Sequence, residues 1–252
     1  MRLILRFEAT KLVQEVSEQV LRNGTLAVVQ GERGLGKSCA AQFVQEKLSV
    51  KGVSRRILRL NCKYLEKVGD LARYVAKEMG INPGKAGNQM LLDMTKRQLT
   101  KRHVRLILAD DADALPPPVQ QYLLKLIENV EGTTTTQHKI GLVALVADEK
   151  RFTVTASKDG HHVLKRTMPK LSPTEVATYL CGVCPQLKQE LGNPAHRSAA
   201  ESLVAMLCKF SGCRPRTLDG LLSATLIDQA FEQTPSIQSL RVALKRQLDL
   251  SS

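Results

Sequence analysis

The chain of 252 residues contains no tryptophan, and aromatic residues make up only 4% of it. So few rings argue against a nucleic-acid surface built from base-stacking platforms. No apolar run approaches the roughly 18 residues that a membrane-crossing helix needs. The opening "MRLILRFEATK" has too short an apolar stretch for a secretory leader, and no small-residue cleavage site follows it. These absences predict an intracellular, cytoplasmic protein with no membrane partner. Acids are also scarce relative to bases: 24 Asp and Glu against 37 Lys and Arg give a formal net charge of +13. That excess points to an anionic polymer, DNA or RNA, or to an anionic surface. The six cysteines, Cys39, Cys62, Cys181, Cys184, Cys208 and Cys213, are free thiols if the compartment is reducing. The last four could make a zinc site. However, Cys208 lies in the apolar run "SLVAMLC", which favours buried thiols.

What is present declares itself between residues 28 and 40, "VVQGERGLGKSCA". Val28 and Val29 read as the end of a buried strand. Gly31, Glu32, Arg33, Gly34, Leu35, Gly36, Lys37 and Ser38 follow in the G-x-x-x-x-G-K-S spacing of a P-loop. Glycines there let successive backbone N–H groups converge on a phosphate with no Cβ in the way. Lys37 brings a cation to the β- and γ-phosphates, and Ser38 offers a hydroxyl to Mg²⁺. The helix-like "SCAAQFVQEKL" aims its positive N-terminus at the same phosphates. The pattern implies a bound nucleotide without saying which machine uses it.

Hydrophobic periodicity organises the rest. "ATKLVQEVSEQVL", "DLARYVAKEMG", "QMLLDMTKRQLTKR" and "PPPVQQYLLKLIENV" have helical spacing. "TLAVV", "SRRILRLNC", "VRLILADDADAL" and "KIGLVALVAD" read as four strands. Alternating strands and helices predict an α/β fold, a parallel sheet with helices on both faces. From "LSPTEVATYL" onward the strand signal stops, and "SAAESLVAMLCKF", "TLDGLLSATLIDQAF" and "SIQSLRVALKRQL" are helical. The expected division is an α/β core over residues 1–170 and a small all-helical lid over 171–252. "TTTT" (133–136) reads as a loop.

The strand "RLILAD" delivers Asp110 and Asp111 to its carboxyl end. An acid there, beside a P-loop, fits the Walker B role of orienting Mg²⁺ and its water, and Asp110 takes that position. Asp111 stands where a longer Glu usually polarises the attacking water, so hydrolysis is expected to be slow. The P-loop, "LILADDADAL", the next apolar strand and the helical tail together resemble the AAA+ ATPases. On that resemblance Asp148 stands at the sensor-1 position, which usually carries Asn or Thr. "SGCRPRTLDGLL" is similar to a sensor-2 segment, with Arg216 reaching the phosphates and Arg214 as the competing choice. "DLARYVAKEMGINPGKAGNQMLLDMTKRQLTKRHVRLILADDADAL" and "KLSPTEVATYL" resemble the transposition-regulator ATPases of the TnsC, TniB and MuB group. The second stretch equally resembles the related ExeA-type ATPases. The resemblance implies ATP and Mg²⁺ as cofactors, catalytic roles for Asp111 and Arg216, and metal binding by Ser38 and Asp110. It also implies a homo-oligomer, a ring or helical filament, around duplex DNA that steers a transposase to its target. An arginine finger would precede the lid, where Lys165 and Arg166 stand after His161 and His162.

Two stretches are dense in base, "KGVSRRILR" and "TKRQLTKRHVR", and both read most simply as solvated faces. The loop "NPGKAGN" (82–88) is more pointed. In the resembling ATPases the loops between the second strand and the Walker B strand line a DNA channel. Lys85, flanked by glycines, and Lys63 and Lys67 in "CKYLEKVGD" are therefore the candidate DNA-binding residues. They would contact phosphates, giving sequence-tolerant and salt-sensitive binding. Rival readings are a helicase loader or replication initiator of the AAA+ class, a secretion-assembly ATPase of the ExeA type that does not act on DNA, and a nucleotide-gated interaction module with negligible turnover.

Overall fold

The computed structural model describes residues 7–48, 57–127, 139–152, 163–185, 187–229 and 236–249. The chain forms two compact units. One comprises residues 11–33 and 37–168; the other comprises residues 1–10, 34–36 and 169–252.

The first unit holds the sheet. Its strands are β1 (Leu26–Gln30), β2 (Ile57–Asn61), β3 (Leu106–Asp110), β4 (Gly141–Val146) and β5 (Val163–Thr167), in the spatial order β2-β3-β4-β1-β5. Every pairing is parallel. Parallel neighbours need long crossovers, and helices supply them. These are α2 (Lys37–Leu48), α3 (Val68–Glu78), α4 (Asn88–Lys101) and α5 (Pro117–Ile127), while α1 (Glu8–Asn23) precedes β1. β3 and β4 are buried at every position. Such continuous apolar runs are what a parallel sheet covered on both faces requires. One face packs Leu58, Leu60, Ile107, Ala109, Leu142 and Ala144 against Leu71 and Val75 of α3, Leu91 and Leu99 of α4, and Val119 and Leu123 of α5. The alternate residues, Leu106, Leu108, Val143 and Leu145, are equally buried on the opposite face. There α2 packs against β2 and β3. Each fully buried Leu in this core contributes roughly 1.5–3 kcal/mol.

Gly24 shows why the chain can turn from α1 into β1. Its φ is +61°, and a Cβ there would lie 2.2 Å from Lys139 Cβ. The fifth strand is the departure from the sequence reading, which found four. β5 is "VLKRT", with two half-buried and three exposed residues. It pairs only with β1 among the described strands, and an edge strand carries no apolar run to reveal it.

The second unit is helical: α6 (Pro173–Val183), α7 (Leu187–Gly192), α8 (Arg197–Ser211), α9 (Pro215–Gln229) and α10 (Ile237–Asp249). Val176, Leu180, Leu187, Leu203, Leu207, Leu218, Leu240 and Leu244 form its core. Phe7 joins that core, its ring tilted against Tyr179 with centroids 6.3 Å apart. A capping box starts α6: Glu175 N–H donates to Ser172 Oγ and Ser172 N–H to Glu175 Oε2. The cysteines are free thiols. Among the described residues no group of three His, Cys, Asp or Glu is placed to hold a metal, so Cys181, Cys184, Cys208 and Cys213 do not gather as a zinc site. Among the described residues no helix is long and apolar enough to cross a membrane.

Candidate nucleotide site and basic loops

In a parallel sheet the carboxyl ends of all strands share one edge, where open α/β folds bind ligands. β1 delivers Gly31–Ser38 to that edge, and β3 delivers Asp110 and Asp111. β4 lies between these two strands and ties the loop down: Gly31 N–H donates to the Val146 carbonyl at 2.9 Å. Gly34 and Gly36 then take φ of +89° and +86°, a region L-residues avoid, which directs backbone N–H groups inward. Lys37 opens α2 and is 6% exposed. Its Nζ donates to the carbonyls of Gly31 at 2.6 Å and Glu32 at 3.2 Å, so the lysine spans the loop it belongs to. Burial pulls its pKa below the ordinary lysine value, while Asp111, Asp113 and Asp110 oppose that shift. Ser38 is exposed on the first turn of α2, Glu32 and Arg33 are exposed, and Leu35 is buried.

The acids sit in unequal environments. Asp110 is 3% exposed. Its Oδ2 faces Arg59 Nη2 at 3.4 Å, and its buried Oδ1 has no hydrogen-bond partner. Asp111 adopts a left-handed conformation, φ 53° and ψ 42°, at the start of the turn Ala112–Ala114. Its carboxyl is pushed above the usual carboxylate range by burial and then by the Asp110 charge, with Lys37 pulling the other way. Asp113 Oδ2 accepts the Asp148 N–H at 3.1 Å, which links the acid turn to the end of β4. The Asp148 carboxylate itself accepts from Lys150 N–H at 3.0 Å. It caps the turn Glu149–Arg151 there. The Cys62 thiol is buried near the acids, and burial with their charge pushes its pKa up to about 12.

Sequence-predicted residues outside this cluster fall as follows. Arg216 lies in the helical unit, exposed, and its N–H donates to the Gly34 carbonyl at 3.2 Å within that same unit. Arg214 is half-buried and donates from Nε to Ser211 O at 3.4 Å. Lys165 and Arg166 are on β5, where Lys165 Nζ pairs with Glu149 Oε1. His161, His162, "TTTT" and the basic residues Lys51, Arg55 and Arg56 lie outside the described residues. Lys63 and Lys67 follow β2, and Lys85 lies in the loop between α3 and α4; all three are exposed. Two residues escaped the sequence reading. Tyr64 is 75% exposed, with Lys63 Nζ 5.2 Å from its ring centroid; a tyrosine between two lysines was the available signal. Arg59 was absorbed into a basic run, although it interrupts an apolar strand.

The site therefore combines a glycine-bearing backbone loop, a buried cation, and a buried carboxylate oxygen with no hydrogen-bond partner. That set fits a nucleoside triphosphate with a hard divalent cation. The architecture is that of a P-loop nucleotide-binding protein with a five-stranded parallel sheet flanked by helices, the AAA+ fold. A family profile described as AAA domain matches residues 20–149, and the chain belongs to that family. The fold is similar to that of the Aeropyrum pernix ORC2 protein, described as ADPNP-ADP complexes, at TM-score 0.67 and 14% identity, covering 94% of this chain and 66% of that one. It is also similar to Cdc6p from Pyrobaculum aerophilum, at TM-score 0.64 and 16% identity over 88% of this chain and 62% of that one. A mutant of RuvB from Thermotoga maritima shares the fold at TM-score 0.59 and 12% identity, over 94% of this chain and 69% of that one. The chain thus spans slightly under two thirds of the ORC2 and Cdc6p chains. No curated protein matches it by sequence.

Proposed function

We propose that this chain is an ATPase that binds ATP with Mg²⁺, assembles as a homo-oligomeric ring or filament on duplex DNA with little regard to sequence, and recruits or activates a transposase at target sites. The observation that carries the nucleotide half is the buried, unpartnered Oδ1 of Asp110 at the same sheet edge as Lys37. Gly31 to Ser38 wrap the phosphates. Lys37 exchanges the Gly31 and Glu32 carbonyls for phosphate oxygens. Ser38 and Asp110 hold the metal, which when bound offsets phosphate charge during hydrolysis. Asp111 orients water and accepts its proton, for which a pKa raised toward neutrality is the right direction. Arg216 supplies a further cation to the phosphates. In this reading residues 1–170 are the nucleotide-binding core and 171–252 the helical lid.

Lys63, Lys67 and Lys85 support the DNA half, as exposed cations on loops after β2 and between α3 and α4. Two structural relatives are described with DNA: the Aeropyrum pernix ORC1 protein in complex with DNA, and Drosophila ORC bound to DNA. The fold likeness to ORC and Cdc6 proteins favours a second reading, a replication initiator or helicase loader. Electron microscopy with duplex DNA and a non-hydrolysable ATP analogue tests assembly: DNA-bound rings or filaments are the expected result, and dispersed monomers on bare DNA refute it. Strand transfer by a transposase into coated against bare duplex separates the two readings. The regulator directs insertion to coated DNA, whereas an initiator leaves insertion unchanged.

A further inference from the structure

Arg59 is the third residue of β2, "ILRLN". β2 is an edge strand, yet the Arg59 side chain is only 25% exposed, and a charge so far buried needs a physical reason. Register pairs Arg59 with Leu108 and Asn61 with Asp110. Strand alternation then places Arg59, Leu108 and Asp110 on one face. The guanidinium lies 3.4 Å from Asp110 Oδ2, with side chains 25% and 4% exposed. The other carboxylate oxygen, Oδ1, is buried and has no partner. The final torsion of an aspartate is soft, so an unheld carboxylate would interchange its two oxygens. A guanidinium on one oxygen removes that freedom.

We propose that Arg59 is a positioning residue for the metal: it pins Oδ2 of Asp110, keeps Oδ1 for the cation or a water bound to it, and balances the buried carboxylate while no cation is present. The inference rests on the nucleotide-site reading above and goes beyond it, since neither the P-loop nor the acid pair requires an arginine on β2.

Binding of a fluorescent ATP analogue, titrated with Mg²⁺ and repeated in EDTA, tests the role on the full chain. Arg59→Met should raise the Mg²⁺ concentration at half-maximal tight binding by about tenfold or more, the scale for losing a group that orients a metal ligand. Binding in EDTA should be unchanged, because the loop Gly31–Ser38 holds the phosphates. Arg59→Lys keeps the charge without the planar fork. It should shift the requirement in the same direction by less, and it serves if Arg59→Met does not fold. In an Asp110→Asn background Arg59→Met should add no further shift, because the arginine acts through that carboxylate. An unchanged Mg²⁺ requirement, an equal loss in EDTA, or the same further shift without Asp110 overturns the inference. So does a native protein whose Lys37-dependent binding ignores Mg²⁺, and in that case the nucleotide reading survives. A native protein that binds no analogue under either condition overturns the nucleotide reading and this inference together.

Discussion

Two sets of charges lie in the sheet unit, and they differ above all in burial. Lys37 and Asp110 are buried at the ends of the loop after β1 and of β3, and Asp111 is half-buried beside them. Lys63, Lys67 and Lys85 are exposed on loops. In the buried set Lys37 and Asp111 have shifted pKa values, and Asp110 carries one unpartnered oxygen. The exposed set is placed differently: Lys63 lies beside an exposed ring, with its charge felt at Asp111, and Lys67 is the N-cap of a helix. Low dielectric makes each buried charge strong and particular. Water and salt make each exposed charge weak, so exposed charges matter only in number. The first set can therefore do chemistry on one nucleotide, and the second can hold a polymer.

The sharpest contrast comes from Lys37→Ala. Removing the one buried cation of the loop should abolish ATP binding, since the loop holds no second buried cation to meet the β- and γ-phosphates. Thermal unfolding gives the readout. ATP at about 100 times its Kd should stabilise the native protein by roughly 2.7 kcal/mol and the variant not at all. A variant that keeps the ATP-induced rise would erase the distinction between buried and exposed lysines.

Asp111→Asn is next in size. ATP binding and assembly should persist while turnover falls by about 10² or more, the scale of a lost general base. Stability moves the other way. The folded pKa of Asp111 lies above its unfolded value of 3.8, so from 3.8 up to that raised value the native state binds more protons, and stability falls as pH rises. At neutral pH the ionised carboxylate is thus a net cost to the fold. The nucleotide-free variant should melt higher than the native protein at pH 7, with the gain shrinking as pH drops into that window. Native turnover in the variant would move the base role to another acid such as Asp113. A melting difference that is flat with pH would mean that burial does not strain Asp111.

The same contrast explains what the sequence made legible. Buried groups leave strong traces, because burial forces apolar runs around them and the loop needs its glycines. That is why β1, β3, β4, the P-loop and the two acids could be read directly. β5 could not, because an edge strand with Lys165 and Arg166 exposed has neither alternation nor an apolar run. Arg59 was hidden for the opposite reason: its partner is 51 residues away on another strand, and only register brings them together. The capping role of the Asp148 carboxylate is likewise a matter of local backbone geometry, which residue type alone does not encode.

Lys85→Ala should have the smallest effect, and its form matters more than its size. The residue is exposed in a loop where Gly84 has φ +47° and Ala86 N–H donates to the Pro83 carbonyl at 3.0 Å. Its side chain is outside the core, so stability should change by less than about 0.5 kcal/mol. A lysine that touches one phosphate releases about one counterion on binding, so its loss should lower the salt slope of log K by roughly one per bound subunit. Affinity should fall by a similar factor on unrelated duplexes, because phosphates carry no sequence. Oligomers linked through ATP add such contacts along one duplex, so the deficit should be larger with ATP than with ADP. Fluorescence anisotropy with several duplexes, across salt and in both nucleotides, measures all three quantities. A loss confined to one sequence would make Lys85 a base reader, and an unchanged salt slope would remove it from the phosphate contacts altogether.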